Sequence, residues 1–358
     1  MKDNTRILDI FKNLKQKGFQ EDRTIEPPTL NLNANSRILL VDGMNMFLRA
    51  FSVVNRVNIS GNPVGGMTGF LRSLGAMIKL HNPTKVILAF DGERGSQARK
   101  YLYRPYKANR DNKKVINTKL YSSVEEEKGS KNDQITRLID YLRCLPITMM
   151  IYDDLEADDI IAYLAKYIPE TYPDSFTYIV SSDQDYMQLV NERVLVYSPT
   201  KKLIYDTHRV LSEYGIHPLN LNVYKALVGD NSDNLPGVSG VGDKTVAKLF
   251  EGLKEPETKG LEYIYETCEE KPVKSVLYDR ILFVKKTVEI MYQIMDLHNP
   301  NIHPDNIEDI ERLYHKKVPA LDKATFMQLY VEDRLGDIIP YTNNWLECFK
   351  PLAFYKPK

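Results

Sequence analysis

Three short apolar runs in this chain each end in an aspartate. The runs are RILLV at residues 37–41, followed by Asp42; KVILAF at Lys85–Phe90, followed by Asp91; and FTYIV at Phe176–Val180, followed by Ser181-Ser182-Asp183. Continuous apolar runs of this length are typical of strands that are buried on both faces, and turn-forming residues follow each run. No other feature of the sequence constrains the fold as strongly.

Helix-like segments separate these predicted strands. Residues 67–80 and 160–168 carry apolar side chains at three- and four-residue spacing, as amphipathic helices do. Alternating strands and helices predict an α/β fold with a mostly parallel central sheet and helices on both faces. Ligands of such sheets bind beyond the carboxyl ends of the strands. One aspartate there could be a turn or capping residue, but three in the same topological position are expected to converge on one crevice.

The composition admits a large core and argues against several classes of protein. The 358 residues are 43% hydrophobic, which suffices for one large domain with appendages or for two smaller domains. No apolar run approaches the roughly 20 residues of a membrane helix, and the polar start MKDNTR lacks a secretion signal, so we expect a cytoplasmic protein without membrane contact. Three scattered cysteines and six scattered histidines argue against zinc chemistry.

Charge is segregated along the chain although the net charge is zero. Lysine plus arginine and aspartate plus glutamate number 48 each, so there is no overall basic signal for a nucleic-acid partner. Residues 94–119 nevertheless contain nine basic residues and a single acid, Asp111. The chain therefore has a basic segment and separate acidic motifs.

Acidic side chains gather in short motifs besides the strand ends. DDLEADD at residues 153–159 opens the predicted helix 160–168, SDQD lies at 182–185, and GDNSDN lies at 229–234. Helix capping explains one or two acids in a first turn, but five like charges repel one another unless cations compensate. The candidate metal ligands are Asp42, Asp91, Glu156, Asp158, Asp159, Asp183, Asp185, Asp230 and Asp233. So many oxygen ligands favour two Mg²⁺ ions, for which Mn²⁺ can substitute, and two such ions suit phosphodiester hydrolysis.

A glycine-rich stretch follows the last acidic motif. LPGVSGVGDKT at residues 235–245 leads into an apolar helical segment at 246–250. Glycines let a backbone approach a phosphate closely, and the start of the next helix presents unpaired N–H groups. The alternative is a tight connection between two helices, but the position directly after GDNSDN favours phosphate binding.

Together these segments resemble the 5′ nuclease and flap endonuclease family, which includes phage 5′-3′ exonucleases, phage ribonuclease H and the 5′ nuclease domain of bacterial DNA polymerase I. The matching segments are VDGMN, FDG, YKANR, LEADD, SSDQD and GDNSDNLPGVSGVGDKT, in family order over about residues 37–250, with weaker similarity toward Ile339. The resemblance implies a PIN-like nuclease core and a helix-three-turn-helix DNA-binding region. It also implies metal-dependent 5′-3′ exonuclease or flap endonuclease activity on DNA or RNA primers in replication or repair, with ribonuclease H activity.

The resemblance further implies roles for individual acids. Asp42, Asp91, Glu156 and Asp158 would hold the first metal ion, and Asp158 would also face the second. Asp183, Asp185 and Asp233 would hold the second ion, whereas Asp159 and Asp230 would lie further out and act through metal-bound water.

Residues 235–250 correspond to the helix-three-turn-helix that grips duplex backbone in the family. The implied DNA contacts there are Gly237, Gly240, Gly242, Lys244 and Thr245, with Lys244 at the phosphate-facing helix start. Many relatives bind a K⁺ ion through carbonyl groups of this loop, so the resemblance implies K⁺ here as well.

In the family, an arch of helices over the active site admits the 5′ strand, and residues 93–133 occupy that position. The implied contacts are Arg99, Lys100, Arg104, Lys107 and Arg110, which alternate with Tyr101, Tyr103 and Tyr106. Basic side chains follow phosphates and aromatic rings stack on bases, although a solvated basic helix is the alternative. Lys107, Arg110 and Arg49 match family cations that hold the scissile phosphate and offset its developing charge.

The predicted organisation has four parts. They are an extension at residues 1–36, an α/β nuclease core at 37–200 that includes the arch at 93–133, a helical DNA-binding region at 201–345, and a tail at 346–358. The extension contains an amphipathic stretch at 5–15, which is expected to dock on the core or to recruit replication proteins. Because no polymerase or proofreading domain follows the core, we expect a stand-alone, monomeric nuclease, a format common among phage enzymes.

Two other functions remain open. A PIN-type ribonuclease shares an acidic site at a sheet end but lacks the glycine-rich hairpin, so LPGVSGVGDKT argues against it. A non-catalytic nucleic-acid-binding protein of the same fold would have lost metal ligands, whereas all nine candidate acids are present. The expected substrates are DNA with a 5′ flap, a nick or an RNA primer.

Overall fold

The structure is a computed structural model that describes residues 37–111, 114–270 and 275–354. The amphipathic stretch predicted at 5–15 and the last four residues of the predicted tail lie outside these ranges. Within them, no helix has the length and apolar character that crossing a bilayer requires.

Six strands form one mixed sheet. The strands are β1 (Arg37–Asp42), β2 (Lys85–Phe90), β3 (Thr148–Ile151), β4 (Phe176–Val180), β5 (Val194–Ser198) and β6 (Leu203–Tyr205). Their order is β3-β2-β1-β4-β5-β6, and all neighbours are parallel except the antiparallel pair β5 and β6. The three predicted strands are confirmed as β1, β2 and β4, which are neighbours in the sheet. The predicted α/β class is therefore confirmed.

Helices occupy most of the remaining chain. They are α1 (Gly43–Val53), α2 (Gly65–His81), α3 (Gln97–Leu102), α4 (Val124–Arg143), α5 (Ala157–Thr171), α6 (Thr207–Tyr214), α7 (Leu221–Val228), α8 (Asp243–Leu249), α9 (Leu261–Glu270), α10 (Val276–Phe283), α11 (Lys285–Met295), α12 (Pro304–His315), α13 (Lys323–Glu332) and α14 (Thr342–Leu346). The two helices predicted at 67–80 and 160–168 are confirmed as α2 and α5, each slightly longer than predicted.

The sheet separates two hydrophobic cores. Every residue of β1 and β2 is buried, and side chains point alternately to opposite faces, as the pleat requires. Ile38 and Leu40 join the core that contains α5, whereas Leu39 and Val41 join the core that contains α1, α2 and the second half of α4. This double burial explains why both strands are apolar throughout instead of alternating.

The C-terminal helices complete one of these cores. Trp345 packs so closely on α2 that a Cβ atom at Gly75 would lie 2.2 Å from the indole nitrogen. Leu346, Phe349 and Leu352 are buried in the same core, as is Phe326 of α13. Leu346, Phe349 and Leu352 of the segment predicted as the tail thus cover the α1, α2 and α4 layer, whereas Glu347, Lys350 and Phe354 of the same segment are exposed.

Candidate active site

Asp42 ends β1 and lies at the carboxyl edge of the sheet. Its Oδ1 accepts a hydrogen bond of 2.9 Å from the backbone N–H of Asn45 and so caps α1, while its Oδ2 accepts one of 3.1 Å from the Tyr186 hydroxyl. Burial, with the nearby negative charges of Asp91 and Asp183, raises the pKa of Asp42 to about 7. A cation beside this carboxylate would therefore stabilise its ionised form.

Asp91 follows β2 at the same edge and joins it to α5. Its Oδ1 accepts a hydrogen bond of 2.8 Å from the backbone N–H of Ala157, the first residue of that helix. The unpaired N–H groups of a helix start favour such a carboxylate. The side chain is exposed, so Asp91 remains accessible to a ligand.

Glu156, Asp158 and Asp159 form the first acid group, and the guanidinium of Arg99 lies among all three. Arg99 is 9% exposed, pairs with Asp159 through two contacts of 2.8 and 3.1 Å, approaches Asp158 at 3.3 Å and contacts Glu156. Its Nε donates a 3.0 Å hydrogen bond to the carbonyl of Ile294 in α11. One buried cation thus compensates three carboxylates.

The three acids of the first group differ in their electrostatics. Burial alone would raise the pKa of Glu156, but the charges of Arg99 and Lys107 outweigh it and lower this pKa. Burial raises the pKa of Asp158 and that of Asp159 despite Arg99. Asp159 also accepts a 3.1 Å hydrogen bond from the backbone N–H of Glu156, so helix capping, the alternative to metal binding, does describe this one acid.

Asp183, Asp185, Asp230 and Asp233 form the second acid group, which combines the end of β4 with the loop after α7. Lys225 of α7 pairs with Asp185 and lies 3.3 Å from Asp230. Asp183 accepts a 2.9 Å hydrogen bond from the backbone N–H of Asp185. Desolvation within the acid group, with the charges of Asp233 and Asp230, raises the pKa of Asp183 although Lys225 opposes the shift.

Lys107 and Arg110 lie between the two acid groups. Lys107 pairs with Glu156 of the first group, and Arg110 pairs with Asp233 of the second. A cleft of about 260 Å³ lies here, and it is lined by Asp91, Gly92, Ser96, Lys100, Lys107, Arg110 and Glu156. A cleft lined by both cations and carboxylates has the groups that a phosphate and its metal ions require.

The donors suit hard divalent ions, although the acids are ion-paired in this structure. Within the described residues, no three His, Cys, Asp or Glu side chains are grouped closely enough to hold a metal ion. Among the described residues, the buried Oδ1 atoms of Asp158 and Asp185 accept no hydrogen bond; the first lies near the Arg99 guanidinium and the second near the Lys225 ammonium. Carboxylate oxygens of this kind are the ligands that Mg²⁺ and Mn²⁺ prefer, so the residues present fit such ions.

Some predicted contacts lie elsewhere than expected. Arg99 and Tyr106 were predicted to touch DNA, but Tyr106 is only 2% exposed and its hydroxyl donates a 2.9 Å hydrogen bond to Glu156. In the described part of the chain, no ion pair joins Arg49 to an acid, and its neighbour is Tyr197 of β5. Lys100 and Arg104 are exposed, so both stay predicted DNA contacts. The burial of Arg99 and Tyr106 corrects the DNA contacts predicted for them. Both residues contact Glu156 instead, because α3 packs against α11.

The segment predicted as the arch is only partly helical at its centre. It contains α3, a 3₁₀ turn at Ala108–Asp111 and the first ten residues of α4. Buried Glu127 of α4 accepts backbone hydrogen bonds from Ile116 and Asn117, and the Asn117 side chain donates to the Phe51 carbonyl at 3.1 Å. The later half of residues 93–133 is therefore fastened to the core near α1.

The glycine-rich loop connects α7 to α8, and α8 begins at Asp243, three residues before the helical segment predicted at 246–250. Gly229 and Gly240 have φ of +81° and +83°, a left-handed conformation that favours glycine. A Cβ atom at Gly237 would lie 1.9 Å from the Val228 carbonyl oxygen, so only glycine fits. Gly242 precedes α8 in open space, and exposed Lys244 lies in the first turn, with Thr245 next to it.

Sequence reasoning missed two residues of the site. Lys225 is the counter-charge of the second acid group, and Tyr186 donates to Asp42. A single lysine within the otherwise apolar helix LNVYKALV could have identified Lys225, since a buried lysine needs an acidic partner. Tyr186 offers no such signal, because its partner lies on a distant strand.

Comparison with known proteins gives the same family over most of the chain. Models described as 5'-3' exonuclease, N-terminal resolvase-like domain, and 5'-3' exonuclease, C-terminal SAM fold, match residues 37–215 and 216–315. The 5'-3' exonuclease of Aquifex aeolicus is 31% identical over 60% of this chain and 68% of the relative, and that of Bacillus subtilis is 33% identical over 63% and 72%. DNA polymerase I of Caldicellulosiruptor bescii is 31% identical over 68% of this chain, which spans 27% of that polymerase.

Solved structures agree on the fold. The 5'-exonuclease of T5 with bound divalent zinc ions has a TM-score of 0.60 at 17% identity, covering 83% of this chain and 98% of that structure. A T5 flap endonuclease in complex with DNA and metal ions has a TM-score of 0.59 at 18% identity, covering 83% and 99%. With two family models spanning residues 37–315, the chain belongs to the 5'-3' exonuclease family.

Proposed function

We propose that this protein is a Mg²⁺-dependent nuclease that hydrolyses phosphodiester bonds near the 5′ ends of DNA, including 5′ flaps, nicks and RNA primers. The observation that carries the proposal is the cleft in which Lys107 and Arg110 lie between two groups of carboxylates. Such an arrangement matches a phosphate that is held by cations on one side and by metal ions on the other.

Two groups of acids would hold the metal ions. The first ion would be bound by Asp42, Asp91, Glu156 and Asp158, and the second by Asp158, Asp183, Asp185 and Asp233, with Asp159 and Asp230 further out. Two hard divalent ions supply an activated water molecule and stabilise the leaving oxygen when they are bound. Binding would require Lys107, Arg110 and Lys225 to release the carboxylates that they now contact.

The cations then have a second task. A lysine and an arginine that leave their carboxylates can hold the scissile phosphate and offset the charge that develops on it. Arg110 is half exposed, so its guanidinium is accessible to a substrate. Arg49, which lies beside Tyr197 of β5, would act on the phosphate from a greater distance.

The loop between α7 and α8 would bind the duplex. Gly240 and Gly242 allow close approach of a phosphate, and Lys244 and Thr245 lie at the helix start that would face it. A groove of about 720 Å³ runs from this helix start to Asp230 and Asn231 of the second acid group. Carbonyl groups of the same loop would hold the K⁺ ion. Lys100, Tyr101 and Arg104 are exposed and would contact the 5′ strand.

One cleavage assay tests the proposal. Purified protein is incubated with a 5′-flap duplex labelled at its 5′ end, in Mg²⁺ or in EDTA. We expect a short labelled product in Mg²⁺, none in EDTA, and a higher rate on the duplex than on the single strand. Cleavage of single-stranded RNA without preference for a duplex would favour the PIN-type ribonuclease instead. Binding without any product in Mg²⁺ or Mn²⁺ would favour a non-catalytic protein.

The duplex-binding role of Lys244 has its own measurement. Lys244→Ala should weaken binding to every duplex sequence alike, because phosphate contacts carry no base information. The slope of log affinity against log salt concentration should shrink by roughly 1, since about one counterion fewer is released. Exposed Lys323 at the start of α13 gives a matched control, and an unchanged slope in Lys244→Ala would assign the loop to packing alone.

A further inference from the structure

Two loops of the site are joined by reciprocal hydrogen bonds between side chains and backbone. The Asn109 side chain donates to the carbonyl of Asn231 at 2.8 Å, and the Asn234 side chain donates to the carbonyl of Pro105 at 2.8 Å. Between them, the backbone N–H of Lys107 donates to the carbonyl of Asp233 at 2.8 Å. We call this contact between residues 105–110 and 231–234 the clasp.

The clasp holds both loops in conformations that non-glycine residues rarely adopt. Lys107 has φ of +57° and Asn234 has φ of +58°. Such left-handed backbones persist where surrounding contacts determine them, and they concentrate at functional sites. The second loop is also closed internally, because the backbones of Asp230 and Leu235 exchange hydrogen bonds of 2.9 and 2.8 Å. A displacement of one loop would therefore be passed to the other.

One side of the clasp carries the cations of the cleft. Residues 105–110 include Lys107, which contacts Glu156, and Arg110, which contacts Asp233. Neither Asn109 nor Asn234 hydrogen-bonds to a carboxylate in the described contacts, so both can be replaced without removing a charge or a candidate metal ligand.

The other side of the clasp continues into the duplex-binding loop. After Leu235 the backbone N–H of Val238 donates to the carbonyl of Leu227 at 2.7 Å, and Gly237 packs directly against Val228. These contacts leave little freedom between residue 234 and the Gly240 turn that precedes α8. A displacement of that turn when duplex binds would therefore be passed to the clasp through residues 235–238, whose contacts restrict their motion.

We propose that Asn109 and Asn234 are positioning residues that couple duplex binding at the α7–α8 loop to the placement of Lys107 and Arg110 in the cleft. The inference rests on the proposed function and adds a reason why that function requires a duplex. Without the clasp, the duplex would still bind and the cleft would still contain both cations. Duplex binding would then no longer place Lys107 and Arg110 in the positions that cleavage requires.

The test compares two substrates in each variant. Single-turnover cleavage rates are measured at saturating enzyme in Mg²⁺, on a 5′-flap duplex and on the same labelled strand without its complement. Asn234→Gly removes the donor yet leaves the left-handed backbone accessible, and Asn109→Ala removes the opposite donor. Asn82→Gly is the matched control, because Asn82 is also left-handed, with φ of +44°, but lies at the far end of α2.

In wild type the duplex should be cut faster than the single strand, and this ratio is the readout. Asn234→Gly and Asn109→Ala should each lower the ratio roughly 2- to 10-fold, as expected for one lost hydrogen bond. The single-strand rate and the duplex dissociation constant in EDTA should stay within about twofold of wild type. Asn82→Gly should keep the wild-type ratio, and thermal unfolding should find all variants folded.

Several results would overturn the inference. An unchanged ratio in both clasp variants, or an equal loss on both substrates, would reduce the clasp to a structural contact while the proposed nuclease function stands. If wild type cuts neither substrate, the proposed function fails first and takes the inference with it. Should Asn234→Gly unfold, Asn109→Ala alone decides the question.

Discussion

The two acid groups meet at Lys107 and Arg110 but are built by different routes. The first is local, because Glu156, Asp158 and Asp159 lie in one helix start and share the buried guanidinium of Arg99. The second is assembled from the end of β4 and from a loop about 45 residues later, and its Lys225 contacts two acids, Asp185 and Asp230. A group that is built locally around a buried charge depends on that charge for folding, whereas a group assembled from distant segments depends on the fold that brings them together.

The largest expected effect tests the buried charge. Arg99→Met should lower the free energy of unfolding by about 3–5 kcal/mol, because three carboxylates would lose their buried counter-charge. Denaturant unfolding in EDTA measures this loss of stability. Arg137→Met is the control, because Arg137 also pairs with two acids, Asp333 and Glu332, but these pairs are partly exposed. A loss no greater than that of Arg137→Met would mean that the first group does not depend on Arg99.

The next effect separates metal binding from capping. Asp158→Asn should reduce cleavage in Mg²⁺ by at least about 100-fold while duplex binding is largely retained. Because one repelled carboxylate is neutralised, stability in EDTA should be unchanged or raised. Near wild-type turnover would remove Asp158 from the metal ligands, and clear destabilisation would favour capping. Asp185→Asn makes the matching test in the second group.

Lys107 and Arg110 sharpen the comparison, since each contacts a different group. Lys107→Ala and Arg110→Ala should each slow single-turnover cleavage by roughly one to two powers of ten, as the loss of a hydrogen bond to a charged phosphate predicts, about 1.5–3 kcal/mol. Duplex affinity should change little. Wild-type rates in both variants would limit Lys107 and Arg110 to their ion pairs with Glu156 and Asp233.

Lys225 gives the smallest expected effect. Lys225→Met should lower the free energy of unfolding by about 1–3 kcal/mol, because two partly buried carboxylates lose one shared cation. The methionine fills a similar volume on α7, so packing is largely kept. A loss as large as that of Arg99→Met would show that the second group depends on its buried lysine as strongly as the first group depends on Arg99, and the contrast between the groups would disappear.

Sequence patterns predicted the parts of the molecule whose causes are local. Strands β1, β2 and β4 follow from apolar runs, and the common position of Asp42, Asp91 and Asp183 follows from the rule that parallel strands end at one edge. The glycine-rich loop could also be predicted from sequence, because the backbone passes so close to Gly237 that no side chain fits there.

The parts that escaped prediction depend on distant segments. The burial of Arg99 requires α11, whose Ile294 carbonyl accepts its hydrogen bond from nearly 200 residues away. Tyr106 was predicted to contact DNA because it alternates with basic residues as Tyr101 and Tyr103 do, yet Tyr101 is 92% exposed and Tyr106 only 2%. Exposure within one short segment therefore varies with contacts that no local pattern records.

The contact between Trp345 and Gly75 also bears on how the protein is made. A ribosome delivers the chain from its N-terminus, so α2 emerges long before Trp345, Phe349 and Leu352, which cover it in the finished core. Until they arrive, one face of the nascent helix layer stays uncovered, and exposed apolar surface on incomplete chains promotes aggregation. The core thus acquires its final packing only after Leu352 has been synthesised, and chains that stop before residue 345 are the ones that chaperones and proteases would meet.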